Sequence, residues 1–145
     1  MPFPQPVPGL VIRYSYLWLN EHIQGREEGV KDRPCAIVLI ANIEGGRQTV
    51  VVLPITHTPP GMTELAVELS AAVKRRLGLD GERSWVMLGE ANRFVWPGPD
   101  LRPAIRGDAD SVVFGLLPYV LFEEIKERFD GAVRKRLARV VPRSE

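Results

Sequence analysis

The chain contains one cysteine, Cys35, and two histidines, His22 and His57. A single cysteine excludes a disulfide within the chain and is typical of a protein in a reducing compartment. Two histidines are too few for a zinc site of the usual histidine and cysteine ligands within one chain. We therefore expect a protein that uses neither a metal nor another cofactor, with Cys35 as a small buried residue of an apolar segment.

Long apolar segments are also missing, since the longest runs cover only residues 35–41 and 49–55. A membrane-spanning helix needs about 20 apolar residues, so the sequence predicts no membrane partner. Residues 1–8 alternate proline with other residues, and they lack the positively charged start and apolar centre of a secretion signal. We expect a cytoplasmic protein.

Common catalytic motifs are absent too. The sequence has no glycine-rich phosphate loop, no His-Glu-x-x-His, no Cys-x-x-Cys and no Gly-x-Ser-x-Gly. The net charge of +1 provides no overall attraction for nucleic acid, which would have to bind a local basic patch. The last third of the chain contains such a cluster, but acidic neighbours dilute it, and a solvated helix face is the simpler interpretation.

The overall amino-acid composition is typical of a folded domain. Hydrophobic residues make up 45% and charged residues 26% of the 145 residues, close to the averages of globular proteins. The length is typical of one domain. We predict a single domain over residues 1–145, with a proline-rich N-terminal arm at residues 1–8 and a basic tail at residues 134–145.

Apolar periodicity predicts a mainly β fold. Residues 10–18 alternate with a period of two, residues 35–41 form a continuous apolar run, and residues 49–53 return as its β-branched partner after a Gly-Gly turn. Shorter strands are predicted at residues 65–69, 84–88, 91–96 and 111–115.

Two helices complete the predicted fold. A short helix over residues 70–77 is capped by Ser70 and ended by Gly78. A longer amphipathic helix begins at Pro118, and Gly131 ends or weakens it midway. The sequence thus predicts an α+β content in which a small, strongly bent sheet packs against a C-terminal helix.

Two polar residues lie at the ends of the two central predicted strands. Arg33, followed by Pro34, precedes one strand, and Thr56 ends the other. Antiparallel pairing brings the start of one strand to the end of its partner, so these residues should share a surface. Taken alone, a surface salt bridge of Arg33 with Asp32 or Glu28 and a backbone hydrogen bond of Thr56 are simpler explanations.

The same residues belong to a longer pattern. An Arg-Pro precedes one apolar strand, a Pro-Ile-Thr ends the next, and residues 84–93 read Ser-x-Val-x-Leu-x-Glu-x-x-Arg. Over residues 9–130 this order resembles the PemK/MazF family of growth-inhibitor toxins of toxin-antitoxin systems. The resemblance implies a mainly β fold, an SH3-like small barrel of the CcdB/PemK/MazF toxin type with short helices and a C-terminal helix.

The resemblance also implies a function. It is that of the toxin component of a type II toxin-antitoxin system, a homodimer that an antitoxin protein binds. Such a toxin is a metal-independent endoribonuclease that cleaves single-stranded RNA through a 2′,3′-cyclic phosphate. Its catalytic arginine and threonine fall on Arg33 and Thr56. The alternative is a non-catalytic SH3-like barrel relative that binds RNA or a protein partner.

Arginine and threonine suit this reaction. When a ribose 2′-hydroxyl attacks its phosphate, negative charge grows on the phosphoryl oxygens, where a guanidinium and a hydroxyl donor stabilise it. Arginine, with a pKa above about 12, is a poor general base. The sequence does not identify the base. Glu28 is a candidate because many members of the family carry a glutamate before the Arg-Pro.

Further RNA contacts are predicted at Arg93 and His57. A strand that continued through His57 would turn it to the opposite face from Thr56, which makes it a peripheral contact. Phe94 and Trp96 could stack on bases, but their alternation places both on one face and favours the core.

Overall fold

The computed structural model describes residues 4–20, 32–104 and 111–143. These residues form a mainly β structure with two helices, which confirms the predicted α+β content. Much of the predicted loop at residues 20–32, including Glu28, lies outside the described residues. The strands are β1 (Leu10–Tyr14), β2 (Arg33–Asn42), β3 (Gln48–Thr56), β4 (Ala66–Glu68), β5 (Trp85–Met87), β6 (Glu90–Val95), β7 (Val113–Leu116) and β8 (Arg139–Pro142), and the helices are α1 (Ala71–Leu77) and α2 (Tyr119–Arg134).

The eight strands form one branched sheet. Its main path runs β4-β5-β3-β2-β1-β7, and β6 pairs with both β3 and β8. All pairs are antiparallel except β6 and β8. The branch arises in β3, where Thr49–Val52 pair with β6 and Ile55 and Thr56 pair with β5. Among the described residues these pairings do not close the sheet into a barrel.

The β2-β3 hairpin is the centre of the sheet, as the sequence predicts. Its strands pair from Cys35 opposite Pro54 to Asn42 opposite Gln48, with a register shift between Ile37 and Leu39. The connection is a short 3-10 turn in which Gly45 has φ of 80°, a conformation that glycine adopts without steric cost. Within the apolar run of β2, residues 35–38 are buried, whereas Leu39 and Ala41 are exposed.

Two hydrophobic clusters lie on opposite faces of this hairpin. Val38 and Leu53 pack in the cluster that also contains Phe129 of α2, whereas Ile37 and Val52 pack in the other. Because alternate side chains of a strand point to opposite faces, a strand inside both clusters must be apolar at nearly every position.

Both predicted helices are present. The Ser70 hydroxyl accepts a hydrogen bond from the Val73 amide at 3.2 Å and caps α1, and Gly78 ends it with φ of 69°. Helix α2 continues through Gly131 to Arg134, so this glycine does not end the helix midway. None of the described helices has the length and apolar character required to cross a membrane.

The basic C-terminal stretch contains structure that the sequence analysis did not predict. Strand β8 runs parallel to β6, with Val141 fully covered beside Asn92. The following Arg143 is buried and forms an ion pair with Asp100 at 3.0 Å. This part of the chain is therefore packed into the fold.

Candidate functional site

A cleft of about 510 Å³ opens where the start of β2 meets the end of β3. Four residues that follow α1 also line it, namely Gly78, Leu79, Asp80 and Ser84. The side chains that matter for its chemistry are Trp18, Arg33, Thr56, His57, Lys74 and Asp80.

Arg33 and Thr56 are brought together by the register of the hairpin. Cys35 pairs with Pro54, so the residue that begins β2 and the residue that ends β3 lie at the same end of the two strands. Both line the cleft. The predicted sharing of one surface is therefore seen.

The Arg33 guanidinium lies 4.8 Å from the ring centroid of Trp18, within the range of a cation-π contact. Its Nε is buried and has no hydrogen-bond partner in the described structure. A buried donor without a partner costs about 1–3 kcal/mol. Arg33 is thus a cleft-lining cation with one hydrogen bond left unmade in the described structure.

Asp32 is not the ion-pair partner of Arg33. Its carboxylate oxygens lie 3.9 Å from Nε of Arg13 and 3.5 Å from Nε of Arg102. Among the described residues, the predicted alternative of an Arg33–Asp32 salt bridge is therefore not observed. The other named partner, Glu28, lies outside the described residues.

Thr56 is buried, with 7% of its surface exposed. Its Oγ1 accepts a hydrogen bond from the Thr58 amide at 3.2 Å, a short turn that follows the strand directly. A hydroxyl that accepts from the backbone keeps its own proton for donation. Thr56 can therefore offer an O–H to an anionic oxygen in the cleft.

His57 lines the same cleft. Strand β3 ends at Thr56, so the strict alternation that would place His57 on the opposite face no longer applies. The His57 Nε2 lies 3.0 Å from Oδ1 and 2.9 Å from Oδ2 of Asp80. The histidine is about half exposed, and its ring is fixed through one nitrogen.

Asp80 is held in its ionised form by Lys74. The buried Lys74 ammonium donates to Asp80 Oδ1 at 2.8 Å and to Ser84 Oγ at 2.7 Å, and it also contacts the Glu82 carbonyl oxygen. The Lys74 hydrogen bond, assisted by the Glu82 amide and by His57, lowers the pKa of Asp80 to about 2. Its carboxylate is therefore an acceptor at any physiological pH.

His57, Asp80 and Glu82 also offer three possible metal-ligand atoms within 4.8 Å of one another. All three residues are exposed. The Lys74 ammonium already occupies a position on the Asp80 carboxylate, and its positive charge opposes a second cation there. The arrangement is better suited to fixing His57 than to binding a metal ion.

The comparisons with known proteins identify no relative. No family model, no curated protein and no solved structure matches the chain. The interpretation of the cleft therefore rests on its own residues.

Of the two remaining predicted site residues, Glu28 lies outside the described residues and Arg93 is not among those that line the cleft. Arg93 is exposed on β6, opposite Val51, and does not line it. Phe94 is buried and stacks on Tyr14 with ring centroids 4.6 Å apart, and Trp96 packs against the same cluster, which confirms the core interpretation. Three of the site residues predicted from the sequence therefore line the cleft, namely Arg33, Thr56 and His57.

Three residues of the cleft were missed from the sequence. Trp18 was assigned to a strand face, whereas β1 ends at Tyr14. Lys74 and Asp80 appeared to be ordinary polar residues of a helix and a loop. The only local signal was a lysine in a short helix followed six residues later by an aspartate, and nothing in the sequence linked that pair to His57.

Proposed function

We propose that this cleft binds a phosphate of single-stranded RNA and that the protein is an endoribonuclease of the PemK/MazF toxin type. The observation that carries the proposal is that Arg33, whose Nε has no hydrogen-bond partner in the described structure, lines the same open cleft as Thr56. Among the described residues Arg33 has no carboxylate partner, and such an arginine is suited to a phosphate, whose oxygens accept from the guanidinium.

The proposed reaction is an internal transesterification. The ribose 2′-oxygen attacks the adjacent phosphorus, the bond to the 5′-oxygen breaks, and a 2′,3′-cyclic phosphate and a 5′-hydroxyl result. Arg33 stabilises the charge that grows on the non-bridging oxygens, and Thr56 donates a second hydrogen bond to the same oxygens. Neither step uses a metal ion.

The proposal includes the finer parts of the resemblance. These are an SH3-like barrel, a homodimer in the cytoplasm and an antitoxin partner. An acidic segment of an antitoxin would bind the cleft through Arg33 and exclude RNA, because its carboxylates accept from the same donors.

The test is cleavage of a defined single-stranded RNA by the purified protein in the presence of a chelator. We expect products with 2′,3′-cyclic phosphate ends. Arg33→Ala should lower the rate by about 10²–10³-fold, the usual loss when one transition-state donor is removed. Arg75→Ala is the matched control, because Arg75 is an exposed arginine that does not line the cleft.

Thr56 is tested by a conservative pair. Thr56→Val removes the hydroxyl and should slow cleavage, whereas Thr56→Ser retains it and should keep most of the activity. Cleavage that is equal in the parent, Arg33→Ala and Thr56→Val would refute the assignment. Tight RNA binding without cleavage products would support the non-catalytic relative instead.

A further inference from the structure

The group that takes the proton from the 2′-hydroxyl is not supplied by Arg33 or Thr56. His57 follows Thr56 directly in the chain and lines the same cleft. It is the one histidine among the described residues. Histidine is the side chain most often used as a general base near neutral pH.

Asp80 determines which nitrogen of His57 is available. The ionised Asp80 carboxylate only accepts hydrogen bonds, and it lies within 3.0 Å of Nε2. The neutral imidazole must therefore carry its proton on Nε2 to form this bond. Its Nδ1 is then the nitrogen with a lone pair.

We propose that His57 is the general base of RNA cleavage and that Asp80 is a positioning residue that fixes its tautomer and orientation. The inference rests on the proposed function and adds the missing proton acceptor to it. It also replaces Glu28, which the resemblance suggested, with a residue whose contacts are described.

The proton balance of the step is as follows. His57 Nδ1 takes the 2′-hydroxyl proton as the bond between the 2′-oxygen and phosphorus forms. The bond between phosphorus and the 5′-oxygen breaks, and the 5′-oxygen takes a proton from water. The imidazolium returns its proton to solvent, and the Asp80 carboxylate stabilises its positive charge while it exists.

The surroundings of His57 contain charges of both signs. Asp80 and Glu82 approach it from the loop after α1, and Lys74 lies behind Asp80. The other charged side chains of the described cleft are Arg13, Asp32 and Arg33. A base must be neutral to act, so the rate should fall once acid protonates the ring.

The experiment compares the parent, His57→Gln and His57→Ala with the same chelated RNA substrate. Glutamine can still donate to Asp80 but cannot accept a proton at neutral pH. Both variants should cleave about 10²–10⁴-fold more slowly and lose the acid limb of the pH profile. Added imidazole should restore part of the activity of His57→Ala only.

A second substrate distinguishes a role of His57 as a base on the 2′-hydroxyl from a role as an acid on the leaving group. An RNA with sulfur in place of the bridging 5′-oxygen has a leaving group that needs no proton. His57→Gln should remain slow with this substrate if His57 acts on the 2′-hydroxyl. Recovery to the parent rate would assign His57 to the leaving group and overturn the inference.

The outcomes distinguish the two proposals. If the parent cleaves RNA and depends on Arg33, but His57→Gln has the parent rate and pH profile, only the general-base assignment is wrong. If the parent does not cleave RNA at all, the proposed function fails and the inference fails with it. Folding of each variant is checked by its urea unfolding midpoint, which should change little because His57 is half exposed.

Discussion

Replacing Arg143 with alanine should destabilise the protein more than any change of an exposed arginine. The Arg143 side chain is 1% exposed, and its Nη2 lies 3.0 Å from Oδ2 of Asp100, which is 9% exposed. Nη1 also donates to the Ser15 carbonyl at 2.7 Å and to Asn92 Oδ1 at 3.0 Å. The guanidinium thus joins the C-terminal strand to residues that follow β1 and lie in β6.

The magnitude follows from what the substitution leaves behind. Arg143→Ala removes the guanidinium from the buried Asp100 carboxylate and from the Ser15 carbonyl oxygen. Breaking a buried ion pair on one side costs about 3–5 kcal/mol. Typical domains have a free energy of unfolding of about 5–15 kcal/mol, so the substitution should remove at least about a fifth of the stability.

The assay is urea unfolding followed by tryptophan fluorescence. Arg139→Ala is the matched control, since Arg139 is an exposed arginine of β8 and should change the free energy by less than about 0.5 kcal/mol. With a slope of about 1–3 kcal/mol per molar urea, Arg143→Ala should lower the midpoint by at least about 1 M. Equal midpoints for the two variants would refute the role of the ion pair.

A double variant tests the cause. Arg143→Met with Asp100→Asn removes both charges of the buried ion pair and should be more stable than Arg143→Ala alone, which removes one of them. If the double variant is the less stable of the two, the loss arises from packing and not from the broken ion pair.

Three further predictions concern single residues. Cys35 is fully buried, and burial raises the pKa of its thiol. A thiol reagent should therefore modify the native protein no faster than the protein unfolds, and rapid modification would contradict this. Gly78→Ala should lower the free energy of unfolding by about 1 kcal/mol, because φ of 69° strains a residue with a side chain, and an unchanged urea midpoint would show that the turn adapts. Asp80→Asn should cost about 1 kcal/mol or less at pH 7, since Asp80 is half exposed and solvent screens its contacts. The folded pKa of about 2 lies below the unfolded value, so the ionised Asp80 contributes its full stability above about pH 4 and loses it as the pH falls through 2. A difference from Asp80→Asn in urea unfolding that does not shrink between about pH 4 and pH 2 would exclude this linkage.

The hairpin and its pair of site residues were predictable because their signals are local. The Gly-Gly turn and the β-branched return strand set the antiparallel pairing, and that pairing alone brings Arg33 to Thr56. The α1 boundaries follow in the same way from a serine cap and a glycine at the C-terminus. In each case a few neighbouring residues determine the backbone geometry.

Strand β8 was not predictable for the opposite reason. Its four residues include two valines between an arginine and a proline, a pattern too short to separate from a tail. Its pairing with β6 is parallel and joins residues about 50 positions apart in the chain. The buried ion pair of Arg143 with Asp100 helps to hold this basic segment in the fold.

The position of His57 depends on where strand β3 ends, and the sequence does not determine that residue. A strand that continued one residue further would have turned the ring away from the cleft, whereas the Thr56 hydroxyl accepts from the Thr58 amide and forms a turn. Asp80, the partner of His57, is 23 residues away in the sequence, after a helix and a turn. Both residues lie in loops, where no periodic sequence pattern predicts which side chains come into contact. The contact of His57 with Asp80 therefore depends on the tertiary structure.

Lys74 links the stability of this region to its chemistry. Its ammonium is buried and binds Asp80, Ser84 and the Glu82 carbonyl, so it fixes the loop after α1 from beneath. The same hydrogen bond keeps Asp80 ionised and therefore able to hold Nε2 of His57. A substitution of Lys74 would change the loop and the histidine together, and a loss of activity there could not be assigned to either one. Variants of His57, which the loop holds through one exposed bond, separate the two effects.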